Sequence, residues 1–340
     1  MISPKTMFRP LHILSFLFVI LAVFSCDISD ERDLCCERLT LHYRYVQREM
    51  QDDFSQHIDH MRHFLFDDLG RFIKELPPSS KGRQDVRLIK MPVGTYTVIT
   101  VVNATVGRTQ LSELMKPWST LADFRLAITH LESKKIVDAS NVHGNGDELF
   151  WNSRTFTVRS NRSQYIICDL SNIHCHLGVK VKWNTVPKMD GDYTIRLTQV
   201  PTDYVLSPSL ADTIRRHSGE PLSAESSPKH VIYTFPKHAG SLGVHEITVP
   251  LYNLELEGVF TTLRYSNTHI PTLQIFHGDV AITKPINLGR AFRAWNWLPS
   301  SNPEQDYRIE LTLYDDGRVL VNQWAETTVL DWIDGGTFGV

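Results

Sequence analysis

The first thiol of the chain stands where acyl-transfer chemistry needs one. Cys26 follows Ser25 directly behind the run LHILSFLFVILAVF, which starts at Leu11 and is almost wholly apolar. Lys5 and Arg9 precede that run. An apolar stretch of roughly 14 residues is too short to cross a hydrocarbon core, which needs about 20. It has the layout of a secretory signal over residues 1–25. A small residue immediately before cysteine resembles the lipobox cut by the lipoprotein signal peptidase, with Phe24 bulkier than that motif usually carries. Cleavage between Ser25 and Cys26 would leave a sulfur to take a diacylglyceryl group and a new α-amine to take a further acyl chain such as palmitate. Two or more chains anchor a protein stably, because each buried methylene contributes about 0.8 kcal/mol.

After Cys26 come Asp27, Asp30, Glu31 and Asp33. They read either as a solvated acidic tether over residues 26–38 or as an acidic export signal resembling that of Bacteroidetes surface lipoproteins. The latter would place the protein on the outer face of the outer membrane.

Other groups offer weaker chemistry. His174, Cys175 and His176 lie close to Cys168. On a strand His174 and His176 share a face, but two ligands fall short of the three or four of a zinc site, and two histidines on a wet face is the better reading. Cys168 and Cys175 are either bridged or free buried thiols. The carboxylate pairs Asp67-Asp68 and Asp315-Asp316 stand beside turn glycines and read as turn-formers. There is no G-x-S-x-G elbow, no H-E-x-x-H and no phosphate loop, so the reading is non-enzymatic, with no metal, cofactor or small-molecule substrate. Trp295, Trp297, Trp324 and Trp332 could stack on sugars, which makes a surface glycan-binding lipoprotein the alternative function. The net charge of the chain is -3, and loss of Lys5 and Arg9 makes the mature part more acidic still. Nucleic acid is excluded as a partner by that balance.

The elements that carry these residues are mostly strands. Apolar residues alternate with polar ones at Leu39, Leu41, Tyr43 and Tyr45, at Val179, Val181 and Trp183, at Tyr193, Ile195 and Leu197, and at Tyr307, Ile309, Leu311 and Leu313. Each run predicts a strand with one face on a core. Residues 95–102, TYTVITVV, are apolar on both faces and predict a central strand. Asp316-Gly317 predicts a two-residue hairpin with Asp315 opposite Arg318. Leu111, Leu114 and Met115, then Leu121, Phe124 and Ile128, predict short helices. The segment from Phe54 to Leu65 fits a helix, while HMRHFLFDDLGRFI also fits a hairpin about Asp67–Gly70. Residues 206–229 read as a long loop. The whole is mainly β, with a few short helices: two β-sandwiches in tandem, over 39–172 and 173–340.

Several segments, in order, resemble one family. The lipobox cysteine is followed by LTLHYRYV, then HMRHFLFDDLGRFI and MPVGTYTVITVVNA, and far downstream by YRIELTLYDDGRVLVNQW and VLDWIDGGTFGV. This order is similar to the minor-fimbrium anchoring subunits of Bacteroidales, the fimbrillin-associated anchor lipoproteins. The resemblance implies sandwiches of transthyretin-like topology and a lipoprotein that anchors a fimbrium at its base, serving adhesion and virulence. It implies a fimbrial structural subunit as partner, joined by strand complementation. Because the lipid would lie on the N-terminal side of Leu39–Val46, that first strand must stay and fill its groove in cis. The C-terminal tail, with Val329, Trp332, Ile333 and Phe338, is either a donor to the partner or the last strand of its own domain.

Replacing Cys26 with serine is expected to leave a mature product that washes free of cells. Membrane fractionation checks this: a Cys26→Ser protein that still sediments with the membrane would contradict the lipid assignment.

Overall fold

The computed structural model describes residues 38–46, 52–129, 142–159, 163–188, 191–217 and 230–324. The strands of the first half are β1 Arg38–Arg44, β2 His60–Phe66, β3 Phe72–Ser80, β4 Asp85–Ile89, β5 Gly94–Val102, β6 Thr109–Leu111, β7 Arg125–Ile128, β8 Val142–His143, β9 Phe150–Val158, β10 Gln164–Asp169 and β11 Ser171–Asn172. Those of the second are β12 His174–Trp183, β13 Tyr193–Pro201, β14 Asp203–His217, β15 His230–His238, β16 Leu242–Val249, β17 Glu255–Leu263, β18 Thr272–His277, β19 Val280–Ala281, β20 Ile286–Asn287, β21 Gln305–Leu313 and β22 Val319–Gln323. Among the described residues two short α-helices, α1 Phe54–His57 and α2 Leu288–Ala294, and a 3-10 turn Pro299–Ser301 accompany the strands of this mainly β chain.

The period-two patterns dictate the layers, because each strand must bury its apolar face. A sheet in the order β10-β1-β4 faces one in the order β11-β9-β5-β2-β3. Leu39, Leu41, Tyr43, Val98, Val102 and Phe150 lie among the residues packed between them. The doubly apolar β5 sits in the middle of its sheet, as its composition predicts. Its other face, with Ile99 and Val101, meets a third sheet, β15-β14-β7-β6, through Phe124, Leu126, Tyr204 and Phe235. The second sandwich pairs β17-β12-β21-β22 with β19-β18-β13-β16-β8 around Leu177, Val179, Ile195, Leu197, Ile309 and Phe292 of α2. The chain passes from the first sandwich to the second between β11 and β12, and the hairpin β14–β15 returns to cover the first.

Three expectations give way to the structure, and one open choice is resolved. The first part of the expected loop 206–229 is strand instead, within β14, which pairs with β15, because Tyr204, Leu206, Tyr233 and Phe235 have a core to enter; residues 218–229 lie outside the described residues. The expected helices about Leu111 and Phe124 are β6 and β7 with turns between them. The backbone of β7 is paired by β14 on one edge and by β6 on the other, and the turns give the apolar residues a near-helical spacing. Only one helical turn, α1, precedes β2, and the hairpin about Asp67–Gly70 forms. At the β21–β22 turn Tyr314, not Asp315, stands opposite Arg318, the N–H of Tyr314 reaching the Arg318 carbonyl at 3.0 Å. Gly317 takes a φ of +82° as the third residue of the loop, a geometry that only glycine adopts at little cost.

Buried histidines tie these layers together, three of them with strongly lowered pKa values. His63 lies between β5 and β3, His174 between the two sandwiches, and His245 stacks on His143 at 5.2 Å. Burial lowers all three: His63 to about 4, and His174 and His245 to about 3, with His176 and His143 respectively adding repulsion. The unfolded chain titrates near 6.5. Below that pH it gains protons that the native state does not, so stability is full above about pH 6.5 and falls toward pH 3–4. The denaturant midpoint is therefore expected to hold between pH 7 and 8 and to fall steadily from 6.5 to 4. A midpoint unchanged across that window would contradict the buried neutral histidines.

Candidate functional site

The first strand lies where a groove would otherwise be. β1 runs parallel to β10, from Leu39 opposite Gln164 to Arg44 opposite Asp169. It runs antiparallel to β4, from Arg38 opposite Ile89 to His42 opposite Asp85. Both backbone edges of β1 are thus occupied. Leu39, Leu41, Tyr43 and Tyr45 are 0–3% exposed. Fully burying such a side chain contributes about 1.5–3 kcal/mol, so the four together contribute roughly 6–12 kcal/mol. That is comparable to the whole net stability of a typical domain, about 5–15 kcal/mol. Without β1 the groove between β4 and β10 would be open and apolar.

Polar contacts fix its register. The Tyr43 hydroxyl lies 2.7 Å from Thr100 Oγ1, which lies 3.0 Å from His63 Nδ1; His63 Nε2 lies 3.1 Å from Ser79 Oγ. This chain links β1 to β5, β2 and β3 inside the core, where an unpaired member would be costly. Burial also pushes the Tyr43 phenol well above its ordinary range, with the nearby Cys168 adding to it, so it stays a neutral hydroxyl. On the outer face His42 Nδ1 lies 2.8 Å from Asp85, and the Arg44 guanidinium pairs with Asp169. Past the end of β1, Asp52 accepts the N–H of Tyr45 at 3.0 Å and the amide of Gln84 at 2.8 Å. The Val46 carbonyl accepts the buried Tyr233 hydroxyl at 2.6 Å.

That last contact reaches into the hairpin β14–β15. Trp151 Nε1 donates to the Thr234 carbonyl at 2.8 Å, and the Thr234 N–H to Ser171 Oγ at 3.2 Å. Tyr204 donates to the Ile173 carbonyl at 3.2 Å and accepts from the Arg264 N–H at 3.0 Å. The end of β1 is thereby fastened to the hairpin and, through Tyr204, to the second sandwich. Tyr233 lies just past the expected loop 206–229, in a stretch for which no element was predicted; the alternation of Val231, Tyr233 and Phe235 was the available signal.

The other candidate sites resolve differently. Ser25, Cys26, Asp27, Asp30, Glu31 and Asp33, and the tail residues Val329, Trp332, Ile333 and Phe338, lie outside the described residues. His174 is not on a wet face: it is 3% exposed, with Nδ1 at 2.9 Å from the Leu149 carbonyl and its ring edge-on to Phe150. The register that turns Cys175 into the second core turns His174 into the seam between the sandwiches. Among the described residues no three metal-ligating side chains come together. Cys168 and Cys175 are free and belong to different cores; burial pushes the Cys168 thiol up to about 12, far from reactivity. Trp295 and Trp297 meet edge to face at 4.8 Å against the second core. Trp324 lies over Gly178, near Lys180 and Arg308. These do not form an exposed row for sugar stacking.

Residues 32–330 match the family model of fimbrillin-A associated anchor proteins Mfa1 and Mfa2. Several solved structures share the fold. Among them are the fimbrial anchor protein Mfa2 from Porphyromonas gingivalis (13% identity, TM-score 0.56, covering 85% of this chain and 98% of that one), a proposed polysaccharide-binding protein from Bacteroides thetaiotaomicron (15%, 0.59, 85% and 99%) and a proposed adhesin from Bacteroides ovatus (14%, 0.58, 88% and 97%). No curated protein matches the sequence.

Truncating β1 at its centre should be felt strongly. Leu41→Ala is expected to lower the unfolding free energy by about 2–5 kcal/mol, and Thr40→Ala, on the outer face, by about 0.5 kcal/mol or less. Denaturant titration compares them; equal small effects would contradict a first strand locked in the core.

Proposed function

Since the chain belongs to the family of fimbrillin-A associated anchor proteins, we propose that it is an outer-membrane lipoprotein that holds a fimbrium at its base and ends its growth there. The lipid is carried on Cys26, and the acidic residues Asp27, Asp30, Glu31 and Asp33 direct the protein to the cell surface. No helix among the described residues is long and apolar enough to cross a membrane, which leaves the covalent lipid as the attachment this reading uses.

The observation that carries the proposal is the place of β1. It is the strand nearest the tether, and it is the middle strand of β10-β1-β4 with its side chains in the core. In strand complementation a subunit accepts a partner's strand in a vacated groove. Here the groove is filled by the chain's own strand. Removing β1 would also cut the body from its lipid, so the covalent tie and the filled groove require each other. A subunit that cannot accept a donor is a terminus.

The joint to the fimbrial structural subunit then falls to the other end of the chain. β22 is the outermost strand of its sheet, and the Trp324 N–H continues its ladder to the Arg308 carbonyl at 3.0 Å. Beyond this point residues 327–340, with Val329, Trp332, Ile333 and Phe338 as pocket-fillers, act as the donor segment.

Loss of the protein should release fimbriae into the medium, and full-length protein should restore them to the cell. A variant lacking residues 327–340 should reach the surface folded and lipidated but fail to retain fimbriae. Immunoblots of cells against medium read the result; fimbriae that stay on cells without the protein sink the anchor role, and fimbriae held by the truncated protein sink the tail joint alone.

A further inference from the structure

We infer that the end of the first sandwich from which the tether departs is itself a membrane-contact surface, with Trp118, Leu69 and Met115 entering the lipid interface. The inference rests on the proposed lipid attachment and adds to it a second, non-covalent contact.

The topology brings separate segments to that one end. The antiparallel register sets Ile89 beside Arg38, the first residue of β1. Only residues 90–93 connect β4 to β5, so β5 begins at the same end. Phe66 opposite Thr97 brings the β2–β3 turn there. The segment 112–121 is docked onto that turn by Leu121 N–H to the Gly70 carbonyl at 2.9 Å and Phe72 N–H to the Ser119 carbonyl at 2.8 Å. Each of these segments presents large apolar side chains to solvent: Leu69 is 70% exposed, Ile89 67%, Val93 65%, Met115 65% and Trp118 80%. Single exposed apolar residues are ordinary on a protein surface; a gathering of them marks an interaction site.

The exposure is built rather than incidental. The backbone N–H of Trp118 donates to the Met115 carbonyl at 2.9 Å, and Ser119 Oγ accepts the backbone N–H of Met115 at 2.9 Å, so the loop is braced internally. The other described tryptophans are buried or half-buried. An indole with an apolar body and one N–H suits the boundary between headgroups and acyl chains. Lys90, Lys116 and Arg71 are exposed in the same segments, with Asp68 and Glu113 among them and Asp67 bonded to Arg71 at 2.8 Å.

The length and exit point of the tether select the bilayer as occupant. Eleven residues separate Cys26 from Arg38, a span of at most about 40 Å when fully extended. They join the body at this end. The face beside the tether is the one held toward the lipid, whereas a fimbrium must be reached on the side away from it.

The test uses the mature lipidated protein in vesicles of phosphatidylethanolamine and phosphatidylglycerol, with and without bromine on the acyl chains. Flotation reads attachment, and tryptophan quenching by bromine reads contact. Wild-type protein is expected to float and to be quenched, and Trp118→Phe to float equally while losing most of the quenching. Floating protein that is unquenched, or quenched equally in Trp118→Phe, overturns the contact and turns the patch toward a protein partner. Protein that does not float overturns the lipid attachment, and this contact with it.

Discussion

A strand with both edges paired and one face in the core cannot leave without unmaking the domain. β1 is such a strand, and the rest of the molecule is arranged around keeping it. Its four inward side chains supply burial on the scale of a domain's net stability. Its parallel neighbour β10 comes from more than a hundred residues downstream, so this pair closes a long loop of chain. Pairing at that sequence distance is slow to form, and here it joins the end of the chain nearest the proposed lipid to the interior of the body.

The seam between the sandwiches extends that hold. The hairpin β14–β15 belongs by sequence to the second half and by packing to the first. Tyr233 fastens the end of β1, Trp151 fastens Thr234, and Tyr204 bonds both Ile173 and Arg264. Arg264 lies buried with its guanidinium donating to the carbonyls of Asn172, Pro303, Pro299 and Asn302 and stacked over Phe235 at 4.0 Å. His143 and Asn145 add a second crossing, Asn145 bonding the backbone of Val259 and Thr261. Contacts of this density make the two sandwiches one mechanical body, which suits a protein proposed to stand between a membrane and a fimbrium.

Much of this was legible in the sequence. Strict alternation located β1, β12, β13 and β21, and double-sided apolarity located β5 at the centre of its sheet, because in those strands burial alone decides the pattern. What escaped were elements whose identity depends on a distant partner. β6 and β7 are short, and their apolar spacing looks helical until β14 is there to pair with β7 and β7 with β6. β14 carries the run Ser207-Pro208-Ser209 and β15 the single Pro236, and both gain their strand character from the core they cover. The hairpin at Asp316-Gly317 was found, but its loop length depends on where glycine takes positive φ, which the dipeptide alone does not fix. His174 faces the seam and not water because a second sandwich stands against it. The residues at the chain's two ends that the sequence singles out for lipid and for partner lie outside the described residues.

The central claim is that the mature protein keeps its first strand on the same polypeptide as its lipid. Intact mass measurement of the protein extracted from the cell surface tests it most directly. The expected species begins at an acylated Cys26 and runs without a break through Arg38–Arg44 into the body. A surface-held species that begins beyond Val46, with β1 cut away, would contradict the account.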